Sequence, residues 1–206
     1  MKKSLEEHAS RFDDVAGEYD DSQNDTEEYR ACVSLVVDHA DPGPEDTVAD
    51  LGTGTGAIAL ALADDAGEVV GRDISEGMME RAREKADEQG IENVEFGEGR
   101  FREPNVESAD IAVSNFAMHH LSDGEKREAV EAIAELGPRK FVLGDVMFFG
   151  EPNPDEPFYS PEVDDPSTVG HLADVLTEAG FALTAVERVH EQVGVLVAER
   201  GESVEE

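Results

Sequence analysis

Hydrophobic and polar positions change period several times along the chain, and those changes mark its elements. Tyr29, Cys32, Val33, Val36 and Val37 recur at three- and four-residue spacing behind Asp25 and Thr26, either of which can cap a helix. A short helix over residues 5–15 precedes it. Beyond Pro42-Gly43-Pro44 the period shifts. Residues 47–51 form a short apolar run suited to a buried strand, a glycine-rich turn follows, and residues 57–66 predict a helix. The alternation continues with a strand at 68–73 and a helix at 75–89, capped by Ser75 and closed by Gly90. Strands follow at 94–96 and 110–115. Ser122-Asp123-Gly124-Glu125 then forms a capping box for a helix running to Leu136. Residues 140–149 predict a strand, Asp165-Pro166 the start of a helix to Glu178, and residues 181–189 and 194–200 the last two strands.

Strands alternating with helices imply a doubly wound, mostly parallel α/β sheet of seven strands with right-handed crossovers and helices on both faces. No helix separates the last two strands, so they should form an antiparallel hairpin. The expected organisation is an N-terminal helical cap over residues 1–42, one globular unit over 43–200, and a frayed tail at 201–206. Residues 150–166 hold five of the nine prolines and read as an ordered, irregular loop. Phe148, Phe149, Phe158 and Tyr159 flank it, either as local packing or as an apolar lid over a ligand site.

Composition adds one large departure. Ala and Val supply 45 of the 80 apolar residues in this 206-residue chain, so its core is built from small pieces. Against 16 basic residues stand 50 acidic ones, for a net charge of −34. Such a surface repels itself in dilute buffer, and molar salt shortens the Debye length to about 3 Å. The acids are spread along the whole chain, which favours a cytoplasmic protein of a salt-accumulating organism over one with a cationic partner. The same charge argues against nucleic acid as a partner. The longest apolar run, residues 57–63, is far short of a membrane span, and no signal-peptide pattern opens the chain. The single cysteine, Cys32, lies among apolar neighbours and excludes a cysteine-based metal cluster.

The chemistry-bearing residues gather at strand ends. Asp50-Leu51-Gly52-Thr53-Gly54-Thr55-Gly56 joins a strand to a helix, where alternate glycines let a ligand approach the backbone and the helix start favours an anionic group. Asp50 at the strand tip could hold an ammonium. Asp73 closes the second strand 23 residues later, where a carboxylate can accept both hydroxyls of a ribose. A capping role for Asp73 is the alternative. His119 and His120 follow the fourth strand, and one could act as a base or merely fill the turn. Adjacent residues make poor joint ligands, so no metal site is expected. Asp145, at the end of the fifth strand, could reach an acceptor or satisfy loop backbone.

These residues together resemble the class I S-adenosylmethionine-dependent methyltransferases, with a Rossmann-like sheet, over roughly residues 12–200. The glycine-rich segment is similar to that family's first motif, and Asp73-Ile74-Ser75-Glu76-Gly77-Met78-Met79 to its second. Val113-Ser114-Asn115-Phe116-Ala117-Met118-His119-His120-Leu121, Ala179-Gly180-Phe181 and Phe12-Asp13-x-x-Ala16-x-x-Tyr19-Asp20 resemble the ubiquinone/menaquinone-biosynthesis-like (type 11) branch. The resemblance implies S-adenosyl-L-methionine as cofactor. Gly52, Gly54 and Gly56, with Thr53 and Asp50, would surround its methionine part, Asp73 its ribose, and Ile74 its adenine. Met78 lies in the second motif and joins the expected contacts. Asn115 and Phe116 would border the methyl group, and Tyr19 would close the pocket. Where the family has an acid after the third strand, this chain has Gly99-Arg100-Phe101. Arg100 accepts no hydrogen bond, so adenine is held by backbone and stacking at Phe101 or the loop is shifted.

The implied activity is methyl transfer (EC 2.1.1.-) to an O, N or C nucleophile of a small-molecule acceptor. The candidate catalytic residues are His119, His120 and Asp145. Two alternatives remain: a non-catalytic protein that keeps the cofactor pocket, and an oxidoreductase using a nicotinamide cofactor. Against the second, Asp50 would face a pyrophosphate unfavourably. Neither a monomer nor a dimer is favoured.

Overall fold

The computed structural model describes residues 9–13, 16, 26–151 and 157–201. Residues 9–13 are helical. Thereafter the elements run α1 (Glu27–Ala40), β1 (Thr47–Leu51), α2 (Ala57–Leu62), β2 (Glu68–Asp73), α3 (Glu76–Gln89), β3 (Val94–Glu98) and β4 (Ile111–Asn115). A 3₁₀ turn at Met118–His120 leads into α4 (Asp123–Glu135), β5 (Lys140–Phe148), β6 (Ser167–Thr168), α5 (Val169–Glu178), β7 (Ala182–His190) and β8 (Val193–Glu199).

The sheet order is β3-β2-β1-β4-β5-β8-β7, with the two-residue β6 beside the end of β5. The ladders from β3 to β5 are parallel, and β8 is antiparallel to both β5 and β7. Strand order reverses between β1 and β4, so their C-terminal ends open the crevice in which such sheets bind ligands.

Both faces are covered, which is why the strands read as unbroken apolar runs. Phe141 and Leu143 of β5, with Leu196 and Ala198 of β8, pack beneath α4 and α5. The alternate residues Val142, Val195 and Val197 pack beneath α1, α2 and α3. Helix α1 therefore belongs to the layer covering the sheet. Its Cys32 lies in that core, and burial, with the charges of Asp145 and Glu28, pushes the thiol up to about 12.

Caps fall largely where side-chain chemistry predicts. The hydroxyls of Thr26 and Ser75 accept from the amides of Tyr29 and Met78, Ser122 and Glu125 complete their reciprocal box, and Gly90 closes α3 at φ +69°. Three expectations shift. Helix α2 ends at Leu62 rather than residue 66. β3 extends to Glu98. Helix α5 starts at Val169 behind a Thr168 cap rather than at Asp165-Pro166. The reason is competition for backbone: the Asp165 amide donates to the His119 carbonyl at 2.7 Å, and Ser167–Thr168 pair with Met147–Phe148. Those residues are held extended.

Candidate active site

Three glycines shape the turn after β1. Gly52, Gly54 and Gly56 have φ of +73°, +53° and +83°, conformations that other residues seldom adopt. A Cβ on Gly52 would stand 2.4 Å from that of Ala117. A Cβ added to Gly54 would meet nothing within 4 Å, so that side of the glycine faces open space.

The turn is fastened to β2. The amides of Gly52 and Thr53 both donate to the Arg72 carbonyl, at 2.8 and 3.0 Å. The amide of Gly54 donates to Asp73 Oδ2 at 2.9 Å, and the other carboxylate oxygen accepts from the Ser75 amide at 2.9 Å. Each oxygen keeps accepting capacity, so Asp73 can hold the turn and still receive hydroxyls. Burial raises its pKa against the pull of the Ser75, Gly54 and Ile74 amides. Ser75 also donates its hydroxyl to Asp13 Oδ1 at 2.6 Å, which binds residues 9–13 to the start of α3. Met78 is buried on α3, and Ile74 is half-buried beside Asp73.

Asp50 is buried at the end of β1. Its Oδ2 accepts from Thr53 Oγ1 at 2.7 Å and from the Ala59 amide at 3.1 Å. Burial pushes this carboxyl up to about 7; the two hydrogen bonds oppose the shift and the charge of Asp73 adds to it. The acid expected at a ligand ammonium thus also organises the turn and the first residues of α2.

Arg100 and Phe101 lie in the loop after β3. The backbones of Arg100 and Glu103 pair at 2.9 and 3.0 Å, and the Arg100 side chain is exposed. The Phe101 ring covers Gly52, 3.4 Å from where its Cβ would stand. Tyr19 lies outside the described residues.

Across the crevice, at the end of β4, both amide atoms of Asn115 and the hydroxyl of Ser114 are buried without a hydrogen-bond partner. Leaving such groups unpaired costs about 1–3 kcal/mol each; the Asn115 carboxamide lies against Gly144, its Oδ1 2.3 Å from where a Cβ of that glycine would stand. Phe116 follows with φ +50°, a strained setting for an aromatic residue. Its ring centroid lies 5.4 Å from Tyr29, 6.5 Å from Phe158 and 6.4 Å from His119.

His119 and Asp145 meet. Nδ1 of His119 lies 2.5 Å from Asp145 Oδ1, and the His119 amide donates to Oδ2 at 3.0 Å. Burial works against a charged His119 ring, but the neighbouring Asp145 and the Asp164 charge outweigh it and raise its pKa. His120 instead pairs through Nδ1 with Asp164 Oδ1 at 2.8 Å. Burial and the adjacent His119 take its pKa down to about 4. His119, His120 and Asp164 each offer a possible metal-ligand atom within 4.8 Å of the others. Tetrahedral zinc with bonds near 2.1 Å sets its ligands about 3.4 Å apart, and both Nδ1 atoms already face carboxylates. The cluster is better described as two imidazole–carboxylate pairs.

Sequence reasoning missed Asp164 and Lys126. Asp164 lies in the proline-rich segment, 44 residues from its histidine. Lys126 is 2 % exposed; its Nζ donates to the Leu121 carbonyl at 2.6 Å and to the Asp165 carbonyl, clamping loop to turn. Its position on the apolar stripe of Ala129, Val130 and Ile133 was the available signal.

Residues 48–137 match the family model described as Methyltransferase domain. The uncharacterized methyltransferase YcgJ of Bacillus subtilis is 35 % identical over 118 residues, 55 % of this chain but less than half (46 %) of its own length. An uncharacterized methyltransferase of Bacillus pumilus is 29 % identical over 204 residues, covering 91 % of this chain and 89 % of its own. Two solved structures share the fold. Magnesium protoporphyrin IX methyltransferase of Synechocystis with bound SAM superposes with a TM-score of 0.67 at 20 % identity, covering 92 % of this chain and 97 % of that one. The [4+2]-cyclase SpnF does so with 0.78 at 15 %, covering 97 % of each. Residues 48–137 thus match a methyltransferase domain, and the sheet has the fold of an S-adenosylmethionine-binding methyltransferase. The residues present fit S-adenosylmethionine: a glycine turn open at Gly54, a carboxylate with accepting capacity at the tip of β2, and a buried, unpartnered Asn115 amide at the end of β4. Among the described residues no helix is long and apolar enough to cross a membrane.

Proposed function

We propose that the protein transfers a methyl group from S-adenosylmethionine to a nucleophilic O, N or C atom of a small molecule. The observation that carries this reading is the fastening of the Gly54 amide to Asp73 in a glycine turn whose Gly54 side is open. In this reading Asp50, Gly52, Thr53, Gly54 and Gly56 surround the methionine part and Asp73 takes the ribose. Ile74, Met78, Arg100 and Phe101 border the adenine, with Phe101 as the stacking surface. Asn115 and Phe116 border the methyl group.

Bound S-adenosylmethionine supplies an already activated sulfonium methyl group. The chain therefore has to hold the acceptor atom in line and exclude water. The rings of Tyr29, Phe116 and Phe158 form an apolar wall for that purpose. We read the acidic surface as that of a cytoplasmic protein from a salt-accumulating organism.

A second reading keeps the pocket without the transfer, and Arg100 is the feature that favours it. The test is incubation in molar KCl with methyl-labelled cofactor and a small-molecule cell extract. Label appearing in a small acceptor supports the transferase. Cofactor binding with no transfer to any fraction favours the second reading.

A further inference from the structure

We infer that Asp13 is a positioning residue for the cofactor: it holds residues 9–13 as a strap across the crevice, and the cofactor leaves only when that strap lifts; this rests on the methyltransferase reading above. Asp13 Oδ1 accepts from the Ser75 hydroxyl at 2.6 Å and from the Gly77 amide at 3.0 Å. Both donors stand at the start of α3, where amides without helical partners favour a carboxylate. The fit is close. A Cβ on Gly77 would stand 3.2 Å from Asp13 Cα, so a glycine at this helical position lets the backbone of the strap in. Next to Asp13, the ring of Phe12 lies 5.6 Å from that of His120, with the Arg11 guanidinium 6.0 Å over the Phe12 ring.

These contacts stand on opposite rims of the crevice. Sheet order places β1 between β2 and β4. Ser75 and Gly77 follow β2, His120 follows β4, and the glycine turn leaves β1 between them. Residues 12 and 13 therefore bridge the mouth of the crevice at the end of β1. The strap is also joined to the carboxylate assigned to the ribose. Ser75 donates its amide to Asp73 Oδ1 at 2.9 Å and its hydroxyl to Asp13, so one residue carries both bonds. The charge of Asp13 adds to the rise in the Asp73 pKa, as a neighbouring carboxylate does. Hydroxyls donated to Asp73 spread its charge and ease that repulsion, so a filled crevice favours the seated strap, and the coupling is reciprocal. Asp13 is exposed, which lets the strap lift without opening the core.

The test reads strap and cofactor separately, in molar KCl. Trypsin cleaves after Arg11, and mass spectrometry identifies the product that begins at Phe12; its rate follows the open fraction when opening is fast. The probe is labelled S-adenosylhomocysteine, whose dissociation is timed by displacement with excess unlabelled compound. Asp13→Ala removes the acceptor of both hydrogen bonds. Gly77→Ala obstructs the seat while giving α3 a better helix former. Each should speed both the cleavage and the dissociation by about tenfold, the scale of one lost charge-assisted hydrogen bond. Tm should stay within about 2 °C of the parent, as for other surface substitutions. Asp13→Asn keeps an acceptor for Ser75 and Gly77 and should restore most of the parental retention. Saturating S-adenosylhomocysteine should slow cleavage of the parent by about tenfold or more, and of either variant by less.

Faster cleavage with unchanged dissociation would overturn the assignment, because the strap would then retain nothing. So would cleavage of the parent at one rate with and without S-adenosylhomocysteine. Gly77→Ala decides the matter if Asp13→Ala loses stability. Absent binding of S-adenosylhomocysteine by the parent protein would remove the methyltransferase reading itself, and the proposal with it. Intact binding with parental dissociation in both variants removes the strap alone.

Discussion

The amide of Gly54 donates to Oδ2 of Asp73 at 2.9 Å, so the turn leaving β1 is locked to the tip of β2 nineteen residues on. One carboxylate thus both shapes the turn and presents accepting capacity to the crevice. Replacing Asp73 by Ala should weaken S-adenosylmethionine binding by roughly 1.5–3 kcal/mol, about tenfold to a hundredfold in Kd. Calorimetric titration checks this, and an unchanged Kd would refute the ribose role.

The two flanking glycines should respond differently to a methyl group. Gly52→Ala drives a Cβ into Ala117, whereas Gly54→Ala meets only a backbone strain of about 1–2 kcal/mol in an open crevice. Gly52→Ala should therefore lower Tm more than Gly54→Ala, which should mainly impair cofactor binding. Thermal unfolding of both variants, with and without cofactor, separates these effects.

Lys126 holds the carbonyls of Leu121 and Asp165 from a fully buried position. Lys126→Met leaves both without that donor, at about 1–3 kcal/mol each. Tm should fall by roughly 5 °C or more for a chain of this size. A variant as stable as the parent would show that the clamp contributes little.

Asp50 carries a pH dependence with a definite sign. Its carboxyl is raised to about 7 from an ordinary value of 3.8, so the folded state binds its proton more tightly across that window. Its contribution to stability therefore falls as pH rises from about 4 to 7 and is level above. Asp50→Asn keeps an acceptor for Thr53 and Ala59 but cannot ionise. The Tm of the variant minus that of the parent should grow from pH 4 to pH 8, and a constant difference would contradict the burial of a charge at this site.

With a net charge of −34, self-repulsion should dominate stability in dilute buffer. Tm should rise steeply between low and molar KCl as the Debye length falls toward 3 Å. A flat profile would remove the reading of the acidic surface as an adaptation to salt.

The parallel sheet was legible because its strands are apolar on both faces and its turns carry glycine and capping residues at fixed offsets. The glycine turn, Asp73 and the closing hairpin could be placed from sequence for that reason. The start of α5 could not, because backbone bonds from Asp165 and Ser167–Thr168 to distant strands override a local Asp-Pro signal. Nor could the pairing of His119 with Asp145 and His120 with Asp164, since those partners are 26 and 44 residues away, on β5 and in the loop before β6, and only the folded chain unites them. The structural use of Asp50 was hidden likewise: its spacing suggests a ligand contact, and only the folded turn reveals its bonds to Thr53 and Ala59.

Calorimetric titration in molar KCl with S-adenosylmethionine, S-adenosylhomocysteine, NADH and NADPH tests the central claim most directly. Micromolar binding of the first two, and of neither nicotinamide, is the predicted result. Binding of a nicotinamide nucleotide, or of none of the four, would contradict it.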